Sequence, residues 1–392
     1  MKWPTYYFYL LIGFSVSNLG NWIYLIALNV FIWNLTNSPA AVAGLYIIGP
    51  FIRIICNFFA GSIIDRSQKK PIVIWTDIIR GIIVCLMPFA DSLFIIYLLI
   101  AMTNVASSFF GPSSMFLIST LIHDEDKQRF NSLNSTFSSG AFMIGPAIAG
   151  GIIAISSTSI AMWTNGISFF ICALFLTFIP NKEEKTTNEQ NLITISMVKK
   201  DMQLVLAYSK KIRAFSLFLC IYSISLMIAF ALDSQEMTFL LEHLNVSESL
   251  YGLSVTIAGI GSLIGGIVAT VLAKTFSVKT YIGVGFPLTL FSYLSFYATD
   301  SFTIALISFI FLGFFMAFSN AGYATLFQTT IEPTIIGRFT SIVSLYQSVL
   351  QISFTLIIGL LCEWYSIQAV TVTFSMLGFL LSLYVCKLML RK

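Results

Sequence analysis

Two acids, Asp233 and Glu236, stand in a run that is otherwise largely apolar from about 214 to 240. Residues three apart on a helix share a face. Neighbouring carboxylates in a partly dry place repel each other, so one of them is expected to hold a proton at the working pH and to shed it when its surroundings change. A proton-coupling site needs that behaviour. The same face runs back through Ala229, Ser225 and Tyr222 as a polar stripe. Arg53 lies near the middle of a second apolar run. A charge inside hydrocarbon is costly, which makes it a functional candidate by default. The residues leave three readings of the acids open: proton coupling or substrate contact, an ion pair with Arg53 that latches one conformation, or carboxyls that merely reach outside water. Asp77 and Arg80 are again three apart, and a local ion pair is expected between them.

The elements that must position these side chains are apolar runs. Of 392 residues, 57% are hydrophobic, 37 are phenylalanine and only 10% are charged, where a soluble domain carries about a quarter charged residues. Runs of roughly 18 or more apolar residues recur along the chain, which argues for transmembrane helices rather than a buried soluble core. The expected spans are 6–33, 40–64, 71–90, 93–122, 131–155 and 160–179, then 214–240, 249–273, 280–298, 302–330, 339–362 and 367–389. The first is expected to be retained rather than cleaved as a signal. With the N-terminus inside, every one of the 21 bases except Arg53 and Arg80 falls in a cytoplasmic segment, while the outer loops carry acids such as Asp91, Asp300 and Glu363. The positive-inside rule then predicts twelve spans in the cell membrane, with both termini cytoplasmic. It also accounts for the net charge of +4 without a nucleic-acid partner. A polar linker over 181–213, with a candidate amphipathic helix at 193–209, separates a bundle at 1–180 from a bundle at 214–392.

Several chemistries are set aside. The sequence has no G-x-x-x-x-G-K-[ST] phosphate loop, no H-E-x-x-H and no G-x-S-x-G. Its six cysteines show no C-x-x-C spacing and read as small buried hydrophobes. The only two histidines are His123, expected in a cytoplasmic loop, and His243, expected in an external one, and no metal site is expected at either. No enzyme activity, metal or cofactor is expected.

The two halves look like a repeat. Arg129-Phe130-Asn131-Ser132-Leu133 and Arg338-Phe339-Thr340-Ser341-Ile342 open helices 5 and 11 at an offset that also sets Lys70 on Lys279, and Asp65 on Lys274. Between spans 2 and 3 lies Gly61-Ser62-Ile63-Ile64-Asp65-Arg66-Ser67-Gln68-Lys69-Lys70, a short polar hinge. Its glycine allows close helix approach, and its acid and base can satisfy each other near lipid. Helix 5 contains Gly140, Gly145, Pro146, Gly150 and Gly151, with Ala149 between. These small residues permit close contact, and the proline loosens backbone bonding. Further polar stripes are Asn18, Asn21 and Asn29 on helix 1, Asn104 and Ser108 on helix 4, Asn320 and Gln328 on helix 10, and Ser344, Gln347 and Gln351 on helix 11. Each is as well explained by interhelical hydrogen bonding as by substrate contact.

The hinge resembles the signature loop between helices 2 and 3 of the major facilitator superfamily, G-x-x-x-D-R-x-x-[KR]-[KR], and the helix 5 segment is similar to the motif of that superfamily's antiporters, which ends G-P-x-x-G-G. Ala149 stands where the first glycine of the final pair is expected. The resemblance implies an all-α membrane protein: twelve transmembrane helices in two pseudo-symmetric six-helix bundles, the major facilitator fold. It implies that Gly61, Asp65, Arg66, Lys69 and Lys70, supported by Asp77 and Arg80, form a network that stabilises the outward-facing state. It also implies a central cavity lined by helices 1, 4, 7 and 10, hence by Asn18, Asn21, Trp22, Asn104, Tyr222, Asn320 and Tyr323. Within the superfamily the sequence looks most like bacterial macrolide-efflux and drug:proton antiporters. The implied function is export of an amphipathic small molecule by alternating access in exchange for protons, by a monomer in contact with membrane lipid. Helix 4 lacks the arginine that many proton antiporters of the superfamily carry and helix 1 has no acid, so coupling would rest on Asp233 and Glu236. The alternatives are a lipid or lysolipid translocase and a dedicated exporter of an endogenous peptide or siderophore.

Overall fold

The computed structural model describes residues 3–57, 64, 67–181, 195–272, 275–332 and 335–390. Among them every regular element is helical. The chain divides into two compact units, Met1–Asn37 with Phe51–Ile193, and Ser38–Pro50 with Thr194–Lys392. Among the described residues eleven helices are long and apolar enough to cross a membrane, and the protein is a multi-pass membrane protein.

The first unit is built from α1 (Thr5–Thr36), the later part of α2 (Pro39–Asn57), α3 (Lys69–Leu86, continued as a 3-10 turn to Phe89), α4 (Leu93–Leu121), α5 (Asp124–Ile155) and α6 (Thr158–Thr177). Asn37 ends α1 by turning left-handed (φ 48°) and returning its N–H to the Trp33 carbonyl, a conformation asparagine tolerates better than most residues. Ser157 opens α6 by accepting the Ile160 N–H on its hydroxyl. At the far end of α6, Lys70 Nζ donates to the Thr177 and Ile179 carbonyls at 2.9 and 2.6 Å, a cation on otherwise unsatisfied C-terminal carbonyls. α5 starts at Asp124 rather than at 131. Glu125 and Asp126 fall in its first turn, where acids complement the helix dipole, so the expected loop shrinks to residues 122–123. α1 packs on α5 and α6, and α3 on α4 and α6, around Tyr7, Leu10, Leu121, Phe130 and Leu176. The α1–α5 contact is close because Gly145 has no side chain: a Cβ there would lie 2.6 Å from that of Trp22.

The second unit adds to the first part of α2 a connecting helix (Ile195–Lys211), α7 (Arg213–Asp233), α8 (Glu248–Leu272), α9 (Val278–Tyr297), α10 (Phe302–Thr330), α11 (Ile336–Trp364) and α12 (Ile367–Leu390). α10 packs on α8 and α9, α12 on α7 and α9, and α11 on α7. At the α8–α10 crossing a Cβ on Gly261 would fall 2.2 Å from the Ile310 carbonyl oxygen, so the backbones touch there. Glu363 and Ser38 share the start of α2: the Ser38 hydroxyl donates to the Glu363 carboxylate, which also accepts the Ala40 N–H.

Twelve spans were expected from hydropathy, and α9 forms but is not among the eleven apolar enough by composition. Its polar side chains explain that. Tyr281, Thr289, Ser292, Tyr293 and Tyr297 are all buried, so they face protein and lower the helix's hydropathy without meeting lipid. The helix expected as one piece over 214–240 is also corrected: it breaks after Asp233 and resumes at Glu236–Thr238, followed by a π-helical stretch, Phe239–His243. The break is sealed locally. Ser234 and Gln235 return their N–H groups to Ala231 and Leu232 in i→i−3 fashion, and the Ser234 hydroxyl bonds the Ala231 carbonyl at 2.6 Å.

Candidate functional site

The break places Asp233 as the last residue of α7 and Glu236 as the first of the next turn. Their carboxyls are within hydrogen-bonding reach of each other, though across a turn rather than along one helical face. Both side chains are half-buried. The Tyr293 hydroxyl of α9 donates to Asp233 Oδ1. One turn on, Tyr297 donates to the Leu232 carbonyl at 2.6 Å, which also accepts the Gln235 N–H where α7 stops. Tyr251 of α8 and Tyr46 of α2 complete the surroundings, Tyr251 interacting electrostatically with Tyr46, Glu236 and Asp233. Tyr251, Tyr293 and Tyr297 are 3%, 3% and 0% exposed. Gln235, fully buried, donates to the Pro39 carbonyl at 3.4 Å and to the Ser234 hydroxyl. Its Oε1 and the Thr238 hydroxyl have no hydrogen-bond partner among the described residues. The result is an acid pair in a largely dry nest of tyrosines, with one phenolic donor, Tyr293, on the Asp233 carboxylate and another, Tyr297, on the backbone beside it.

This tyrosine nest was not read from the sequence. The available signal was the i, i+4 spacing of Tyr293 and Tyr297, which puts both on one face of a helix otherwise dominated by small and apolar residues.

The stripe expected on α7 separates into different surfaces. Tyr222 stacks on Tyr323 of α10 at 4.7 Å with rings 7° apart, and lies 4.4 Å from the Phe286 ring. Ser225 instead donates to the Gly378 carbonyl of α12 at 2.9 Å, so its hydroxyl joins two helices and does not face a ligand. Asn104 and Ser108 bond back to their own helix, at Ile100 and Asn104 carbonyls, as does Asn29 to Leu25. Asn18 is half-buried, and Asn21 and Asn320 are exposed. Trp22 packs its ring 4.6 Å from Phe142. Arg53 is exposed and belongs to the first unit, while both acids belong to the second.

The first unit has its own buried charge. Arg80 and Asp77 form an ion pair with both side chains at most 5% exposed. The guanidinium lies between the rings of Phe110 (4.1 Å) and Phe169 (4.3 Å), whose π-faces stand in for lost hydration. Cys172 borders the Asp77 carboxyl. Nearby, Lys69 is buried with its ammonium 4.7 Å from the Phe116 ring. Gly61, Asp65 and Arg66 lie outside the described residues. In the helix 5 segment only part of the glycine pattern is tight: Gly145 meets Trp22, whereas a Cβ on Gly140 or Gly151 would meet nothing within 4 Å. Pro146 and Gly150 are buried.

At the end of the second unit near Glu363, hydrogen bonds from His243 (2.8 Å) and Gln368 (3.0 Å) hold the exposed Asp300 carboxyl below the ordinary carboxylate range.

Comparison with known proteins places this geometry. The chain is 23% identical over 368 residues to YfiS of Bacillus subtilis (strain 168), an uncharacterised MFS-type transporter, covering 92% of this chain and 87% of that one. It is 27% identical over 184 residues to BacE of the same organism, a proposed bacilysin exporter, a match that spans 45% of this chain and 46% of BacE. The crystal structure of the nucleoside transporter NupG superposes with a TM-score of 0.75 over 99% of this chain and 100% of NupG at 12% identity, a likeness of fold. Residues 10–240 and 214–392 both match the Major Facilitator Superfamily, and the chain belongs to that superfamily of membrane transporters.

Proposed function

We propose that the protein exports an amphipathic small molecule by alternating access and is energised by proton antiport, as in the macrolide-efflux and drug:proton antiporter group. The observation that carries this reading is the acid pair at the break in α7, bonded by Tyr293 and enclosed by tyrosines. Two adjacent carboxyls with little water hold one shared proton more readily than none or two. A shift of Tyr293 or of the broken turn changes how well the charged form is solvated, which is how conformation and proton occupancy become linked. Asp233 and Glu236 are assigned the proton. Asn18, Asn21, Trp22, Tyr222, Asn320 and Tyr323 remain candidates for the substrate surface; Asn104, bonded to its own helix, is a weaker one. The loop residues Gly61, Asp65, Arg66, Lys69 and Lys70 are assigned the conformational network with Asp77 and Arg80. The chain is placed in the cell membrane as a monomer with both termini cytoplasmic.

The test is dye or antibiotic uptake into inverted vesicles, with an inside-acid gradient formed and then collapsed. Wild-type uptake is expected to follow the gradient. Asp233→Asn and Glu236→Gln are expected to lose gradient-driven uptake while still binding substrate. Uptake indifferent to the gradient, or intact in both variants, would overturn the assignment. The likeness to BacE favours a second reading, a dedicated exporter of one endogenous compound. It differs in predicting a single transported compound across a substrate panel.

A further inference from the structure

Three apolar hollows of about 360, 230 and 280 Å³ open along the seam between α9 and α10, the first with α8 as an added wall. They lie next to one another in series. The first and second share Phe276 and Tyr281, and the second and third share Phe315. Their lining on α9 runs from Val278 to Ser295, about 25 Å at the rise of a helix, against a hydrocarbon core of about 30 Å. One leaflet's share of that core is about 15 Å, so an acyl tail entering at the Val278 end lies wholly within the seam.

The chemistry of the lining selects an alkyl occupant. Every hydroxyl along it is already bonded within the protein: Tyr281 to the Ala269 carbonyl, Ser292 to Leu288, Ser308 to Ile304, and the Ser295 and Ser308 hydroxyls to each other. Thr270 and Thr325 bond back to their own helices, and Thr280 bonds Ser277. A polar ligand would find no unused donor there, whereas methylene groups lose nothing. The rim is apolar and open, with Val284 43% exposed and Phe291 and Phe311 each 50% exposed. The two ends differ in charge. Lys279 is exposed on the first turn of α9, at the positive end of its dipole. The opposite end leads to the ionised Asp300.

We propose that this seam is a binding site for a phosphate-bearing diacyl lipid of the bilayer, with an acyl tail along α9–α10 and its phosphate at Lys279. The site depends on the membrane placement of the chain and not on proton coupling or on the exported substrate. Native mass spectrometry of the full chain in detergent, titrated with phosphatidylglycerol, tests it. Val284→Trp fills the second hollow and Lys279→Glu reverses the headgroup charge. Phe94→Trp, at a 75% exposed position of the first unit, is the control. Wild type and control are expected to retain one lipid per chain. Val284→Trp is expected to weaken retention roughly fifteenfold, the equivalent of about two methylenes of lost contact. Lys279→Glu is expected to weaken it at least about fivefold, the worth of one basic residue near an anionic headgroup. Should Val284→Trp not give a monodisperse protein, Ala321→Leu narrows the first hollow from an exposed position and carries the same expectation. Equal retention in the hollow-filling variant and the control would mean non-selective annular lipid and would overturn the site.

Discussion

Tyr293 is the residue through which the acid pair is held. Its hydroxyl is the donor on Asp233, and it comes from a different helix, so the bond reports the register of α9 against the broken end of α7. A hydrogen bond to a charged group contributes about 1.5–3 kcal/mol. Tyr293→Phe removes that bond while keeping the ring in its buried place. Gradient-driven transport is expected to fall by roughly tenfold or more, with substrate binding retained. Stopped-flow efflux beside an equilibrium binding titration separates the two, and equal losses in both would assign Tyr293 to folding instead. At this scale the sequence was informative about charges and silent about their partners. Asp233, Glu236, Asp77 and Arg80 declare themselves because charges are rare in an apolar chain. Tyr46, Tyr251, Tyr293 and Tyr297 do not, because the chain has 16 tyrosines and only tertiary packing shows which phenol meets a carboxyl.

Element order and helix ends were largely legible, because span length and cap residues are local properties. The break in α7 was not. Nothing in Leu232-Asp233-Ser234-Gln235 forbids a continuous helix, and what stops it is the set of bonds that Ser234, Gln235 and Tyr297 make once neighbours are in place. The glycine-rich segment of α5 teaches a similar lesson. Its pattern suggests several equivalent small residues, yet only contact geometry separates them: Gly145 is pressed against Trp22, and Gly140 has open space beside it. Gly145→Ala forces the α1–α5 contact apart and is expected to cost about 1–3 kcal/mol, the range for overpacking a tight contact. Gly140→Ala is expected to be neutral or slightly stabilising, since alanine is the better helix former. Thermal unfolding of the two purified variants in one detergent checks this. Equal melting points would remove the tight-contact role of Gly145.

For the whole molecule, the distribution of charge predicts an orientation. All bases other than Arg53 and Arg80 fall between spans of one parity or at the termini, and Asp91, Asp300 and Glu363 fall between spans of the other. The cost of moving lysine and arginine across the bilayer during insertion predicts that the basic side is cytoplasmic. The helices support the alternation this requires. The short connections at residues 90–92 and 298–301 each join two membrane-length helices, α3 to α4 and α9 to α10, so each must return the chain to the side it came from. The counter-case would be an inverted insertion, which would place Lys210, Lys211 and Lys279 outside. Single cysteines in a cysteine-free background decide between them. Replacements at the exposed Asp91 and Asp300 are expected to react with a membrane-impermeant maleimide in intact cells, and replacements at Lys211 and Lys279 only after permeabilisation. Labelling of Lys279→Cys in intact cells would reverse the orientation. It would also move the proposed lipid headgroup to the outer leaflet and turn the direction of transport inferred for the acid pair around, so this experiment constrains both proposals at once.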